Sequence, residues 1–208
     1  RVPMVVRWPG HIKPGTLKTE IFASYDWLPT FVNIAGGPKG DGLKKQIEAG
    51  QYPGIVKTTL DGVDQRDYFE GKTEKSARDY FFYYTGATPS AVRYNNWKIY
   101  FTMEGSTGAA ALKGPQTFGW AQVQNIKRDP FEQAVGEEQK SVMSIGGALA
   151  APSTAYLYNW NMLPVGQQLW LKELSSYIDF PPLQDPASYN LTQVLEQVKK
   201  LSNKGVSQ

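Results

Sequence analysis

The sequence predicts an α/β chain in two parts: the end of a mixed α/β layer over residues 1–72, then an antiparallel sheet with packed helices, an α+β subdomain, over residues 73–208. Three observations carry this prediction. Val2-Pro3-Met4-Val5-Val6-Arg7-Trp8 is a nearly continuous apolar run, the pattern of a strand buried on both faces of a parallel sheet. From Tyr80 onward, short aromatic-rich segments alternate with turn residues, as in an antiparallel meander. Further on, Trp170, Leu171, Leu174, Tyr177 and Ile178 recur at helical spacing.

The first strand is expected to end at Trp8-Pro9-Gly10, with a turn at Lys13-Pro14-Gly15. A parallel strand needs neighbours on both sides, and no second run of the same kind completes a βαβ unit, so its partners are expected upstream of Arg1. Asp26 is predicted to cap a helix that runs to Ala35. Pro29 falls in its first turn, and Trp27, Leu28, Phe31, Val32 and Ala35 make one apolar face. Gly36-Gly37-Pro38 stops it. Residues 37–60 lack clear periodicity and read as a surface excursion. Asp61-Gly62-Val63-Asp64 reads as a turn before a short helical piece through Tyr68 and Phe69 that ends at Gly71, and the polar stretch Lys72 to Arg78 marks the internal boundary.

The meander is expected to comprise Tyr80 to Tyr84, Ser90 to Tyr94 and Trp97 to Thr102, with Asn95-Asn96 as the tight turn between the last two. Met103 to Gly119, rich in Gly and Ala, reads as a long loop and a pocket wall. Trp120 to Ile126 then supplies a further strand. Pro181-Pro182 bars continuation of the helix that contains Trp170. Asn190 is predicted to cap a final helix, with Gln193 at the capping-box position and Leu191, Val194, Leu195, Val198 and Leu201 on one face.

Composition excludes several kinds of function. The 22 basic and 19 acidic side chains are scattered through the 208 residues, leaving a formal charge of +3 and no basic block to neutralise a run of phosphates, so nucleic acid is not an expected partner. No apolar run approaches the ~20 residues that span a bilayer. Cysteine is absent, which removes disulfides and thiolate chemistry. The one histidine, His11, lies in a turn, too isolated for a triad or a three-ligand zinc site. Asp61, Asp64 and Asp67 recur every three residues but read as turn and cap residues rather than cation ligands. Gly105, Gly108 and Gly114 do not make a phosphate cradle, because Lys113 is followed by Gly114-Pro115 instead of a Ser or Thr opening a helix. No catalytic or metal-ligating residue is assigned. The candidates to face a substrate are Glu104 and Lys113 in the long loop, Lys113 as the counter-charge for an anion. Asn190-Leu191-Thr192 matches a glycosylation sequon that helix capping already explains.

Five motifs in order resemble the type I sulfatases of the alkaline phosphatase-like superfamily. Arg1-Val2-Pro3-Met4-Val5-Val6-Arg7-Trp8-Pro9-Gly10 is similar to the segment that follows their Glu-Gly-Gly signature. Tyr25-Asp26-Trp27-Leu28-Pro29-Thr30-Phe31 resembles a family helix, Asp61-Gly62-Val63-Asp64 a family turn, and Ala91-Val92-Arg93-Tyr94 with Asn96-Trp97-Lys98 a family hairpin. Asn125-Ile126-Lys127-Arg128-Asp129-Pro130-Phe131-Glu132 resembles the closing Asn-Leu-x-x-Asp-Pro-x-Glu stretch.

The resemblance implies a C-terminal portion of a sulfatase, with residues 1–72 ending the large α/β domain and residues 73–208 holding a four-stranded antiparallel sheet. It implies a sulfate ester substrate, aryl or carbohydrate, and the N-terminal sulfatase domain as partner. It places the formylglycine nucleophile, the calcium ion with its ligands and the sulfate-binding lysine before Arg1, so the chain alone is expected to be inactive and to contribute a cleft wall. By analogy the protein is expected in the periplasm or outside the cell. The alternatives are a phosphodiesterase or phosphonate hydrolase of the same superfamily, and a non-catalytic carbohydrate-binding module.

Overall fold

The computed structural model describes residues 2–86, 88–103, 116–132 and 161–181. A 3₁₀ turn, Ser24–Asp26, leads into α1, Trp27–Ile34. Then come α2, Gly42–Glu48, and α3, Arg66–Phe69. Four strands follow: β1, Tyr80–Thr85; β2, Thr88–Tyr94; β3, Trp97–Met103; and β4, Gln116–Asn125. The last described element is α4, Met162–Asp179.

The strands pair antiparallel in sequence order, β1-β2-β3-β4, as the alternating aromatic segments predict. Asn95 takes a φ of 51° at the β2–β3 turn, a left-handed conformation that Asn tolerates better than most residues. One sheet face packs on α4. Val92 and Ile99 are fully buried there with Val123 and Trp170, and Phe82, Phe101 and Ala121 close around them. Trp170 stands against the ring of Phe82 at 4.6 Å and meets Tyr84 edge-on at 5.2 Å. Gly166 lets the helix approach β3, because a Cβ there would lie 3.2 Å from Ile99 Cγ2.

The closing motif ties the end of β4 to the other face of the sheet. Asn125 Oδ1 accepts the N–H groups of Lys127 and Arg128 and so shapes the turn. Gln124 Nε2 donates to the carboxylate of Asp129, and Lys98 Nζ reaches Glu132 at 2.7 Å. Tyr100 Oη donates to the same Glu132 oxygen. The motif spacing thus serves a turn that returns its second acid onto β3.

Five expectations are corrected. Val2 to Trp8 is not a strand. It has irregular backbone, pairs with no strand among the described residues, and leaves Val2 and Val5 90% and 97% exposed. A strand buried on both faces needs a neighbour on each side, and none of the described segments supplies one.

Asp26 precedes α1 as expected but does not cap it with its side chain. Fully buried, it accepts the N–H groups of Ala23 and Val63 and pairs with Arg78. The face that α1 buries is Pro29, Thr30 and Asn33, whereas Leu28 and Phe31, on the apolar side, are about half exposed. The polar contacts win here: Thr30 Oγ1 accepts the N–H of Gln65 at 2.9 Å, and Asn33 engages Asp64 and Arg66.

Residues 37–60 include α2, anchored by buried Leu43. One apolar anchor in a seven-residue helix leaves no periodicity to detect. One later element begins early: β4 starts at Gln116, within the expected loop, while the helix expected around Trp170 is α4, which opens at Met162. The final helix expected from Asn190 lies outside the described residues.

The Lys72–Arg78 stretch is bonded firmly to the first part of the chain. Ser76 Oγ donates to the Ile21 carbonyl, and the Gln65 amide holds Ser76 and the N–H of Ala77. Gly62 explains its place in the Asp-Gly-x-Asp motif in steric terms, since a Cβ there would overlap the Tyr25 carbonyl oxygen. Gly62→Ala is therefore expected to cost about 1–3 kcal/mol, as other overpacked sites do, read as a lower urea midpoint at unchanged m-value.

Candidate functional site

The residues expected to face a substrate, Glu104 and Lys113, lie outside the described residues. What the described residues bring together is a cleft of about 520 Å³ between α2, the segment 59–63, β1 and α4. Sequence reasoning missed it because one wall is α2, hidden in an aperiodic stretch. A signal existed on the other wall: Glu173 and Tyr177 are one helical turn apart and must share a face of α4.

Tyr84 on β1 and Tyr177 on α4 meet with their hydroxyl oxygens 2.6 Å apart, and Glu173 Oε1 lies 3.3 Å from Tyr84 Oη and 3.5 Å from Tyr177 Oη. Burial raises the Glu173 carboxyl above its ordinary value, and the charge of Asp61 adds to this, while the two hydroxyls and Lys44 across the cleft oppose it. Burial, and then the bond to Tyr177, push the Tyr84 hydroxyl up as well. Desolvation likewise raises Tyr25, to about 12. Lys172 lies 5.8 Å from the centre of the Tyr80 ring, and Thr59 donates to Glu48 at 2.6 Å. Arg78 also lines the cleft, and its Nη2 donates to the Asp61 carbonyl.

A second cluster surrounds His11. Its ring stacks on Trp8 with centroids 3.9 Å apart, and Nδ1 lies 3.0 Å from Glu70 Oε1. Glu70 also accepts from Arg66 Nε at 3.0 Å and pairs with Lys72. Lys72 foremost, then Arg66 and to a smaller extent His11, hold its carboxyl at about 2, below its ordinary 4.5. A depressed carboxyl stabilises the fold above its ordinary value, and that contribution is lost as pH falls from 4.5 through about 2. Glu70→Gln is expected to flatten the acid limb of stability over that interval, measured as urea midpoint against pH. The cluster is a clasp between the first turn and α3, and among the described residues His11 has no nucleophile beside it.

Among the described residues no group of three His, Cys, Asp or Glu side chains could hold a metal ion. Asp64 does what a turn residue does: its carboxylate accepts from Asn33, from the N–H of Gly40 and from the N–H of Arg66. No described helix is long and apolar enough to cross a membrane.

The fold class these elements define is a mixed α/β chain ending in a four-stranded antiparallel meander backed by a helix. The same fold occurs in the PsFucS1 sulfatase from Pseudoalteromonas sp., which superposes with a TM-score of 0.59 over 85% of this chain and 30% of that one, at 18% identity. Arylsulfatase A of Homo sapiens is 32% identical over 197 residues, 90% of this chain and 34% of that protein. Steryl-sulfatase of Mus musculus is 32% identical over 107 residues, 49% of this chain and 15% of that protein. No family model matches the chain. The chain belongs to the sulfatase family, and it spans about a third or less of the length of these curated relatives.

Proposed function

We propose that the intact protein is a sulfatase, a hydrolase of sulfate esters, and that this chain is the portion that walls the substrate cleft. The observation that carries the reading is the similarity to arylsulfatase A across 90% of the chain. The five sequence motifs support it as well. Two of them have a plain structural purpose here, in Gly62, which passes under Tyr25, and in Glu132, which returns to Lys98.

The chemistry of the family, a formylglycine nucleophile beside a calcium ion, does not fit the residues at hand. The 208 residues contain no Cys/Ser-x-Pro-x-Arg motif of the kind in which a formylglycine is made, and no described acid cluster could hold the metal. No catalytic step is therefore assigned to this chain. The nucleophile and metal ligands belong, in this reading, to the N-terminal sulfatase domain, with Glu104 and Lys113 facing the substrate from this side. The exposed run from Val2 to Val5 supports a partner of that kind, since it presents apolar surface with no cover among the described residues.

The test is hydrolysis of 4-nitrophenyl sulfate, followed by released nitrophenolate. The chain alone is expected to give no turnover, and the chain joined to its N-terminal domain is expected to turn over and to lose activity with a chelator. Turnover by the isolated 208 residues would overturn the assignment.

A further inference from the structure

We propose that the apolar side of α4 that the sheet leaves exposed is the seat of the chain's own C-terminal segment, residues 190–201, folded back along it as a helix. α4 buries Gly166 and Trp170 against the sheet. Leu171, Leu174 and Ile178 follow one another at spacings of three and four residues and so share a different side of the helix, where they are 69%, 42% and 84% exposed. Exposed apolar side chains scattered singly need no explanation. Three large ones in a row on one helix make a continuous stripe, the mark of an interaction surface.

The sequence that follows α4 supplies the occupant. α4 ends at Asp179, Pro181-Pro182 bars its continuation, and residues 182–208 lie outside the described residues. In them Leu191, Val194, Leu195, Val198 and Leu201 recur at helical spacing behind the capping pair Asn190 and Gln193. A helix of that length is marginal in water unless its apolar face is buried. The lengths agree, since at 1.5 Å per residue Leu171 to Ile178 rises about 10 Å and Asn190 to Leu201 about 17 Å. The residues between Phe180 and Asn190 can span about 30 Å when extended, well beyond the roughly 8–10 Å between packed helix axes, so the chain has room to double back. An antiparallel return brings Leu191 and Val194 toward Ile178 and carries Val198 and Leu201 toward Leu171. Tethering favours this occupant over a separate one. A short linker holds the segment at an effective concentration of about 1 mM, so a second copy of the chain at about 1 μM competes at about a thousandfold disadvantage.

The docking involves no substrate, and its test is separate from ester hydrolysis. Hydrogen exchange on the full chain reads it. Backbone amides of residues 190–201 are expected to exchange about tenfold or more slowly than those of an unfolded peptide. Leu171→Asp with Ile178→Asp is expected to abolish that protection while the amides of β2 and β3 keep theirs. Because the chain has no cysteine, Leu171→Cys supplies a single thiol and a second reading that introduces no charge into α4. Its alkylation by iodoacetamide is expected to quicken about tenfold when Val194→Asp and Val198→Asp are added. Free exchange of residues 190–201 in the unsubstituted chain, protection that survives both aspartates in α4, or an alkylation rate unchanged by the aspartates in the segment would overturn the proposal. So would a dimer, seen by sedimentation, that the α4 aspartates dissociate, because a second copy would then be the occupant.

Discussion

Arg78→Ala is expected to destabilise the chain by about 3–5 kcal/mol, the range for breaking a buried ion pair by removing one partner. The side chain of Arg78 is 6% exposed and that of Asp26 is wholly buried. The guanidinium donates through Nε and Nη2 to both Asp26 oxygens and through Nη2 to the Asp61 carbonyl. With Arg78 gone, Asp26 keeps, among the described residues, the Ala23 and Val63 N–H groups, too little to hold a charge out of water. Asp26→Asn with Arg78→Met removes both charges at similar volume and should recover a large part of the loss. Urea unfolding of the wild type and the two variants measures this, and a loss below about 1 kcal/mol for Arg78→Ala would mean that water already reaches the pair.

Trp170→Ala is expected to cost about 3–5 kcal/mol, the usual range for an aromatic side chain removed from a core. The ring is the part of α4 that joins the Val92–Ile99–Val123 cluster, and it touches both Phe82 and Tyr84. Trp170→Phe should cost much less. The indole Nε1 is buried and finds no acceptor among the described residues, so Phe removes an unpaired donor while leaving a smaller void. Thermal or urea unfolding should rank the variants wild type, then Phe, then Ala, with a wide gap before Ala. Equal losses for Phe and Ala would show that the N–H is satisfied after all.

The meander was the most legible part of the sequence. Alternation over Tyr80–Thr85 and Trp97–Met103 and the pair Asn95-Asn96 are local signals that the pairing register repeats. What stayed hidden depends on contacts far along the chain. Asp26 has the residue type and position of a cap, yet its partner is Arg78, 52 residues away, and nothing in the neighbourhood of either predicts the other. The apolar side of α1 pointed to the wrong buried face because Thr30 and Asn33 are held by Gln65, Arg66 and Asp64. The cleft was invisible for the same reason. Its acids and ammonium groups come from α2, a loop, and α4, and only folding puts Lys44 opposite Glu173. Glu104 and Lys113, read from the long loop, remain proposals.

The Asp26–Arg78 pair has a consequence in time as well as in energy. The sheet pairs strand with next strand, so its β1–β2 and β2–β3 contacts close short loops and can form early. The ion pair closes a loop of 52 residues and draws the 3₁₀ turn, the segment before α3 and the entry to β1 to a single point. Such a contact is expected to form late, after the rate-limiting step. Its loss should therefore shorten the lifetime of the folded chain while leaving the speed of folding nearly unchanged.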